Sequence, residues 1–104
     1  MSDKAKFKIG QIIRHRLFDY MGVVFDIDPF FQGTEEWYEQ VAISRPPKNK
    51  PWYHVLVHVA EHSTYVAEQN LDLEKNPKVI QHPLVNSFFT KFDGLQYHLK
   101  SKLN

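Results

Sequence analysis

The sequence contains no cysteine. That single absence excludes disulfide scaffolds, cysteine-based zinc sites, iron–sulfur clusters and thiol catalysis. Glycine is scarce, with only Gly10, Gly22, Gly33 and Gly94, and no glycine-rich phosphate loop, nucleophile elbow or kinase-like signature occurs. No run of 18 apolar residues exists, so no membrane-spanning helix is expected. Met1-Ser2-Asp3-Lys4-Ala5-Lys6 lacks the apolar stretch of a signal peptide, and a soluble cytoplasmic protein is the expectation. Neither sign of charge dominates. Thirteen basic against twelve acidic residues give +1 with the six histidines neutral, which alone does not point to a nucleic-acid partner.

What is present suits one globular domain over residues 1–104. Hydrophobic residues make up 42%, charged residues 24% and aromatics 14%, enough to build a modest core. The charges are unevenly placed. Lys4, Lys6, Lys8, Arg14 and Arg16 against Asp3 make residues 1–16 locally basic. Arg45, Lys48 and Lys50 form a second basic group, and Glu35, Glu36 and Glu39 lie between the two as an acidic knot.

The apolar pattern has a period of two over most of the chain, so the expected class is mainly β. Gln11 to Leu17 alternates as a strand, Asp19 to Gly22 reads as a turn in which Gly22 supplies an unusual backbone angle, and Val23 to Asp28 returns until Pro29 stops it. Residues 29–51 are too long for a hairpin loop. Within them Thr34 caps a short helix, Glu35 to Val41, and three prolines between Arg45 and Pro51 impose an extended loop. Trp52 to Ala60 is apolar on both faces, as an interior strand is. A turn at Ala60 to Ser63 leads to a return strand at Thr64 to Glu68, and Leu71 and Leu73 anchor the segment beyond it. Tyr53, Val55, Val57, Val23, Phe25 and Ile27 are the expected core. Leu84, Val85, Phe88, Phe89 and Phe92 then share a helical stripe, predicting a helix over Pro83 to Phe92 that Gly94 ends; Leu95, Tyr97 and Leu99 alternate after it. A small SH3-like barrel of about five strands accommodates this pattern, with a barrel core at 9–73, a long insert between the second and third strands and a C-terminal extension at 74–104.

Residues able to carry chemistry are few. His54, His58 and His62 are four apart, but on a strand the first two stand roughly 13 Å apart, too far to share a metal bound at about 2 Å. Asp26 and Asp28 share a strand face with their bases about 7 Å apart. Glycosidase carboxylates span such distances, yet nothing in the sequence supplies a substrate cleft. The reading is a protein without catalytic residues, cofactor or metal. Binding remains. Lys6, Lys8, Arg14, Arg16, Arg45, Lys48 and Lys50 form a phosphate-binding stripe if the fold brings them together. Phe30, Phe31, Trp37 and Tyr38 form an aromatic patch with an acidic rim if exposed, suited to a protein partner or to symmetric self-association as a homo-oligomer.

Four blocks carry a resemblance: Lys6-Phe7-Lys8-Ile9-Gly10-Gln11-Ile12-Ile13-Arg14-His15, Gly22-Val23-Val24-Phe25-Asp26-Ile27-Asp28-Pro29, Pro51-Trp52-Tyr53-His54-Val55-Leu56 and Tyr65-Val66-Ala67-Glu68-Gln69-Asn70-Leu71. In this order they closely resemble the heat-shock protein HspQ family, also called YccV-like or the hemimethylated DNA-binding domain. The resemblance implies an SH3-like barrel in the bacterial cytoplasm that binds hemimethylated DNA. It also implies a stress role, in which an ATP-dependent protease degrades unstable proteins including the replication initiator. His82 to Tyr97 is similar to the longer-tailed members. Reading one methyl group in the major groove needs an apolar contact beside a base-edge hydrogen bond; Tyr20, Phe30 and Phe31 are the aromatics suggested for it.

Overall fold

The computed structural model describes residues 4–100. Its centre is an open antiparallel sheet in the order β4-β3-β2-β1-β5, built from β1 (Ile12–His15), β2 (Met21–Asp28), β3 (Trp52–Val57), β4 (Ser63–Ala67) and β5 (Leu71–Leu73). The expected barrel is therefore not closed. β4 and β5 are the two edges, joined through one 3₁₀ turn (Glu68–Asn70), and they do not pair. The connection 29–51 carries helix α1 (Glu35–Val41) as expected, capped by Thr34 Oγ1, which accepts from the Trp37 N–H at 3.1 Å.

Both faces of this sheet are buried. On one, Tyr53, Val55, Ile13, Val24 and Val66 pack with Phe7 and Leu71. On the other, Ile12, Val23 and Leu56 pack with Ile80, Val85, Phe89 and Tyr97. The expected core residues divide between the two because Val23 stands opposite Leu56, whereas Val24 stands opposite Val55. Phe25 and Ile27, expected on one face, also part. A bulge between Val24 and Asp26 shifts the register. Phe25 joins the Val23 side and Ile27 joins the Tyr53 side. Val55 is fully buried; Val55→Ala is expected to lower the unfolding free energy by about 1–3 kcal/mol, measured by urea titration, and an unchanged midpoint would argue against this core.

Three local expectations need correction. The strand expected over Trp52 to Ala60 ends at Val57, and Val59 lies exposed in the following turn with φ 57°. The turn after β1 centres on residues 16–18, and the positive φ belongs to Asp19 (55°). Gly22 lies inside β2, where a side chain would stand 2.6 Å from the Leu56 carbonyl oxygen; it is there for close approach. The helix expected over Pro83 to Phe92 is only α2, Val85–Phe88. The chain then becomes a hairpin of β6 (Phe89–Phe92) and β7 (Tyr97–Leu99). The Phe-Phe-Thr-Lys-Phe run favours strand, and Asp93-Gly94 is a hairpin-turn dipeptide. Gly94 has φ 100°, and the Asp93 carboxylate accepts from the Leu95 and Gln96 N–H groups and lies 2.7 Å from His98 Nε2. Led by the Gln96 N–H, these bonds pull the Asp93 carboxyl down to about 2.

Candidate functional site: an aromatic cleft with a basic end

The helix α1 and the loop after it lean toward β4 because Trp52 recruits them. Its ring, 1% exposed, lies 4.9 Å from Phe31 and 5.2 Å from Tyr65, centroid to centroid, and its Nε1 donates to the Pro47 carbonyl at 3.1 Å. Tyr38 seals the same cluster, donating its hydroxyl to the Pro46 carbonyl at 2.7 Å. A cleft of about 380 Å³ remains between this assembly and the turn after β1. Trp37, Val41 and Ile43 form one wall, Leu17, Phe18 and Tyr20 the other, and all five residues of β4 line it. Its rim is strongly apolar: Phe18 is 66% exposed and Ile43 80%.

His15 holds the second wall. It is buried, and its Nδ1 accepts from the backbone N–H groups of both Leu17 and Phe18 at 3.1 Å. Its ring stacks on Phe18 at 4.7 Å. Burial lowers its pKa, so the neutral ring is the one the fold stabilises. The unfolded chain then binds the proton more readily, and stability is full above about pH 6.5 and declines as pH falls through that value toward the folded pKa. Urea titrations at pH 7.5 and 5.5 should show this loss, and His15→Asn should reduce it. An identical pH dependence in the variant would show that another histidine is responsible.

The basic candidates have different partners. Lys6 and Lys50 line a shallow depression with Pro47, Ala67, Glu68 and Gln69. Beyond it Arg16 donates from its backbone to the Asn70 carbonyl and from its side chain to that of Gln69. Asn70 Nδ2 donates to Ser44 Oγ at 3.1 Å, next to Arg45. Lys6, Lys50, Arg16 and Arg45 thus gather around the 3₁₀ turn at one end of the cleft. Arg16 and Arg45 are ion-paired with Asp72 and Glu39 at 3.6 and 3.1 Å, all largely exposed. Arg14 is tied elsewhere, to Glu74 at 2.6 Å and Asp19 at 3.1 Å. Lys48 is held by Glu35 at 2.6 Å, with its ammonium 4.3 Å from the Tyr38 ring centroid. Lys8 sits in the turn before β1.

A family model described as "Hemimethylated DNA-binding protein YccV like" matches residues 5–96. The chain belongs to the YccV-like family. That stretch contains both cleft walls, the basic end and β6, and stops just before β7. The family is one of DNA-binding domains and not a known enzyme family. Of the aromatic candidates in this YccV-like chain, Tyr38 is buried, Phe31 and Trp37 are half-buried, and Phe30 is exposed. No helix among the described residues is long and apolar enough to cross a membrane.

One grouping was not legible from spacing. The β2–β3 register sets Asp26 opposite His54, and Asp26, Asp28 and His54 bring ligand atoms within 4.8 Å of one another. Such a trio has the donor types of a divalent-metal site. It is also satisfied from within: Asp28 Oδ2 accepts from the Tyr65 hydroxyl at 2.7 Å and lies 3.1 Å from His54 Nε2, and Asp26 Oδ1 accepts from the Ile27 N–H at 2.9 Å. Burial, and then the Asp28 hydrogen bond, raise the Tyr65 pKa, so its hydroxyl stays a donor.

Proposed function

We propose that the chain binds hemimethylated DNA, with Lys6, Lys50, Arg16 and Arg45 against the phosphates and the apolar rim beside them meeting the methyl group. The family match over residues 5–96 carries this reading. The gathering of four cations around the 3₁₀ turn supports its placement, on a sheet whose strand order is compatible with an SH3-like arrangement. The ion pairs of Arg16 and Arg45 are exposed and worth roughly 0–1 kcal/mol each, so a phosphate can replace the carboxylate. Phe18 and Ile43 stand at the same end and suit the apolar contact that a base methyl requires.

The test is a titration of hemimethylated and fully methylated duplexes at two salt concentrations. Each of Lys6→Gln, Lys50→Gln, Arg16→Gln and Arg45→Gln should reduce the log–log salt slope by about 0.9 and weaken binding several-fold. Arg14→Gln, whose side chain is engaged by Glu74, should leave the slope unchanged. Equal affinity for the two duplexes would reduce the reading to general backbone binding, and salt-insensitive binding would end it.

A second reading is a protein-interaction module that presents unstable substrates to an ATP-dependent protease in the stress response. The exposed apolar rim, Leu17, Phe18, Val41 and Ile43, favours it, because contiguous exposed apolar surface marks protein contacts. Phe18→Ser with Ile43→Ser should abolish any acceleration of substrate turnover while leaving the DNA salt slope intact. Substitution at Tyr38 cannot serve as this test, since it is buried and its loss would disturb the fold.

A further inference from the structure

We infer that the cleft accepts an extended polypeptide segment that pairs with the free edge of β4. This deepens the second reading by naming the partner's chemistry. The pairing of β3 with β4 determines which way the β4 backbone points. The Val57 N–H donates to the His62 carbonyl, and the Glu68 N–H donates to the Pro51 carbonyl. Residue pairs 57/62 and 51/68 are therefore hydrogen-bonded pairs, and in an antiparallel ladder such pairs alternate with ones that face away. Val55–Thr64 and Tyr53–Val66 therefore bond to each other, whereas Ser63, Tyr65 and Ala67 direct their N–H and C=O groups to the outside. Among the described residues, no hydrogen bond engages those six groups.

These outward groups open into the cleft, which all five β4 residues line. They repeat every two residues, about 7 Å, and only another extended backbone offers donors and acceptors at that repeat. A nucleic acid does not. The occupant's side chains are specified too. Among the described residues no Lys, Arg, Asp or Glu lines the cleft, so the paired stretch is uncharged and largely apolar. At the Ala67–Asn70 end stand Arg16 and Arg45, so an acidic residue belongs there. Antiparallel addition, the commoner mode, puts that residue at the segment's N-terminal side.

The probe is an acetylated Glu-Val-Thr-Val-Thr-Val peptide with a fluorescent label on a C-terminal lysine amide, followed by anisotropy with the full chain. N-methylation of one alternating set of amides should weaken binding by roughly tenfold or more, and methylation of the complementary set should change it little, because only one set faces β4. Ala67→Pro removes one outward N–H at a residue whose φ is −69° and ψ 148°, angles proline adopts, and should cost roughly fivefold. Should that variant fold poorly, the methylation series on the unaltered chain still decides. Arg16→Gln should weaken the Glu peptide and not its Gln counterpart. Absence of binding, or equal sensitivity to both methylation sets, would overturn strand addition. If that happens while Phe18→Ser with Ile43→Ser still abolishes protease stimulation, the interaction reading stands and only its strand-pairing form falls. If the peptide pairs as described but those substitutions leave turnover unchanged, the peptide site stands and the protease role falls.

Discussion

Trp52→Ala is expected to remove about 3–5 kcal/mol of unfolding free energy, a large share of the roughly 5–15 kcal/mol that holds such a domain folded. The indole is 1% exposed. It is the common neighbour of Phe31, Trp37, Tyr38 and Tyr65, with ring centroids 4.9 to 6.4 Å away. Its truncation leaves a cavity that four rigid rings cannot close, and it strands the Pro47 carbonyl that accepts from its Nε1. The damage should be local as well as global. The connection carrying α1 packs on the sheet through this cluster, so hydrogen exchange should rise first at Trp37 and Tyr38. Trp37→Ala, at the half-buried edge of the same cluster, should cost clearly less, about 1–2 kcal/mol. Equal losses for the two, measured by urea titration, would show that Trp52 is not the keystone of this end of the fold.

Gly10→Ala is the second large effect, about 2–5 kcal/mol. Two independent constraints meet at this residue. Its φ is 98°, and a side chain there would stand 2.2 Å from the Tyr97 carbonyl oxygen. The backbones are that close because Gly10 donates to Val24 and accepts from the Tyr97 N–H, each at 2.8 Å. Residue 10 thus fastens the C-terminal hairpin to the start of β1, and the hairpin brings Phe89 and Tyr97 into the core. Gly94→Ala is the natural control. Its φ of 100° is the same in kind, but a side chain there meets nothing within 4 Å. It should cost only about 1–2 kcal/mol from backbone strain. If Gly10→Ala proved no worse than Gly94→Ala, or left the Tyr97 amide as protected from exchange as before, the hairpin would not depend on this close approach.

Much was legible in the sequence, where one local rule acted without competition. The alternation of Trp52 to Ala60 predicts a strand buried on both faces, and Thr34 ahead of two glutamates predicts a helix start; both elements are present, the strand ending at Val57. Family membership is likewise a property of residues in order, and four blocks sufficed to read it. The Phe88-Phe89 region shows where such rules conflict. Its spacing satisfies a helical stripe, but its β-favouring residues and the Asp93-Gly94 turn satisfy a hairpin. Pairing with Tyr97–Leu99 and docking on Ile12, Val23 and Leu56 decided between them.

The site itself was a tertiary decision. Seven cations were identifiable by type, but which of them converge depends on where the 3₁₀ turn carries Gln69 and Asn70 relative to Ser44. Asp26 meets His54 through a strand register that a bulge had already shifted. The open edge of β4 comes from the order of strands in the sheet. Sequence determined residue chemistry and local conformation, since backbone sterics and apolar periodicity act over a few neighbours. Convergence of residues 26 to 53 apart in the chain came only with packing, because register, bulges and close glycine contacts are settled by which surfaces exclude water together.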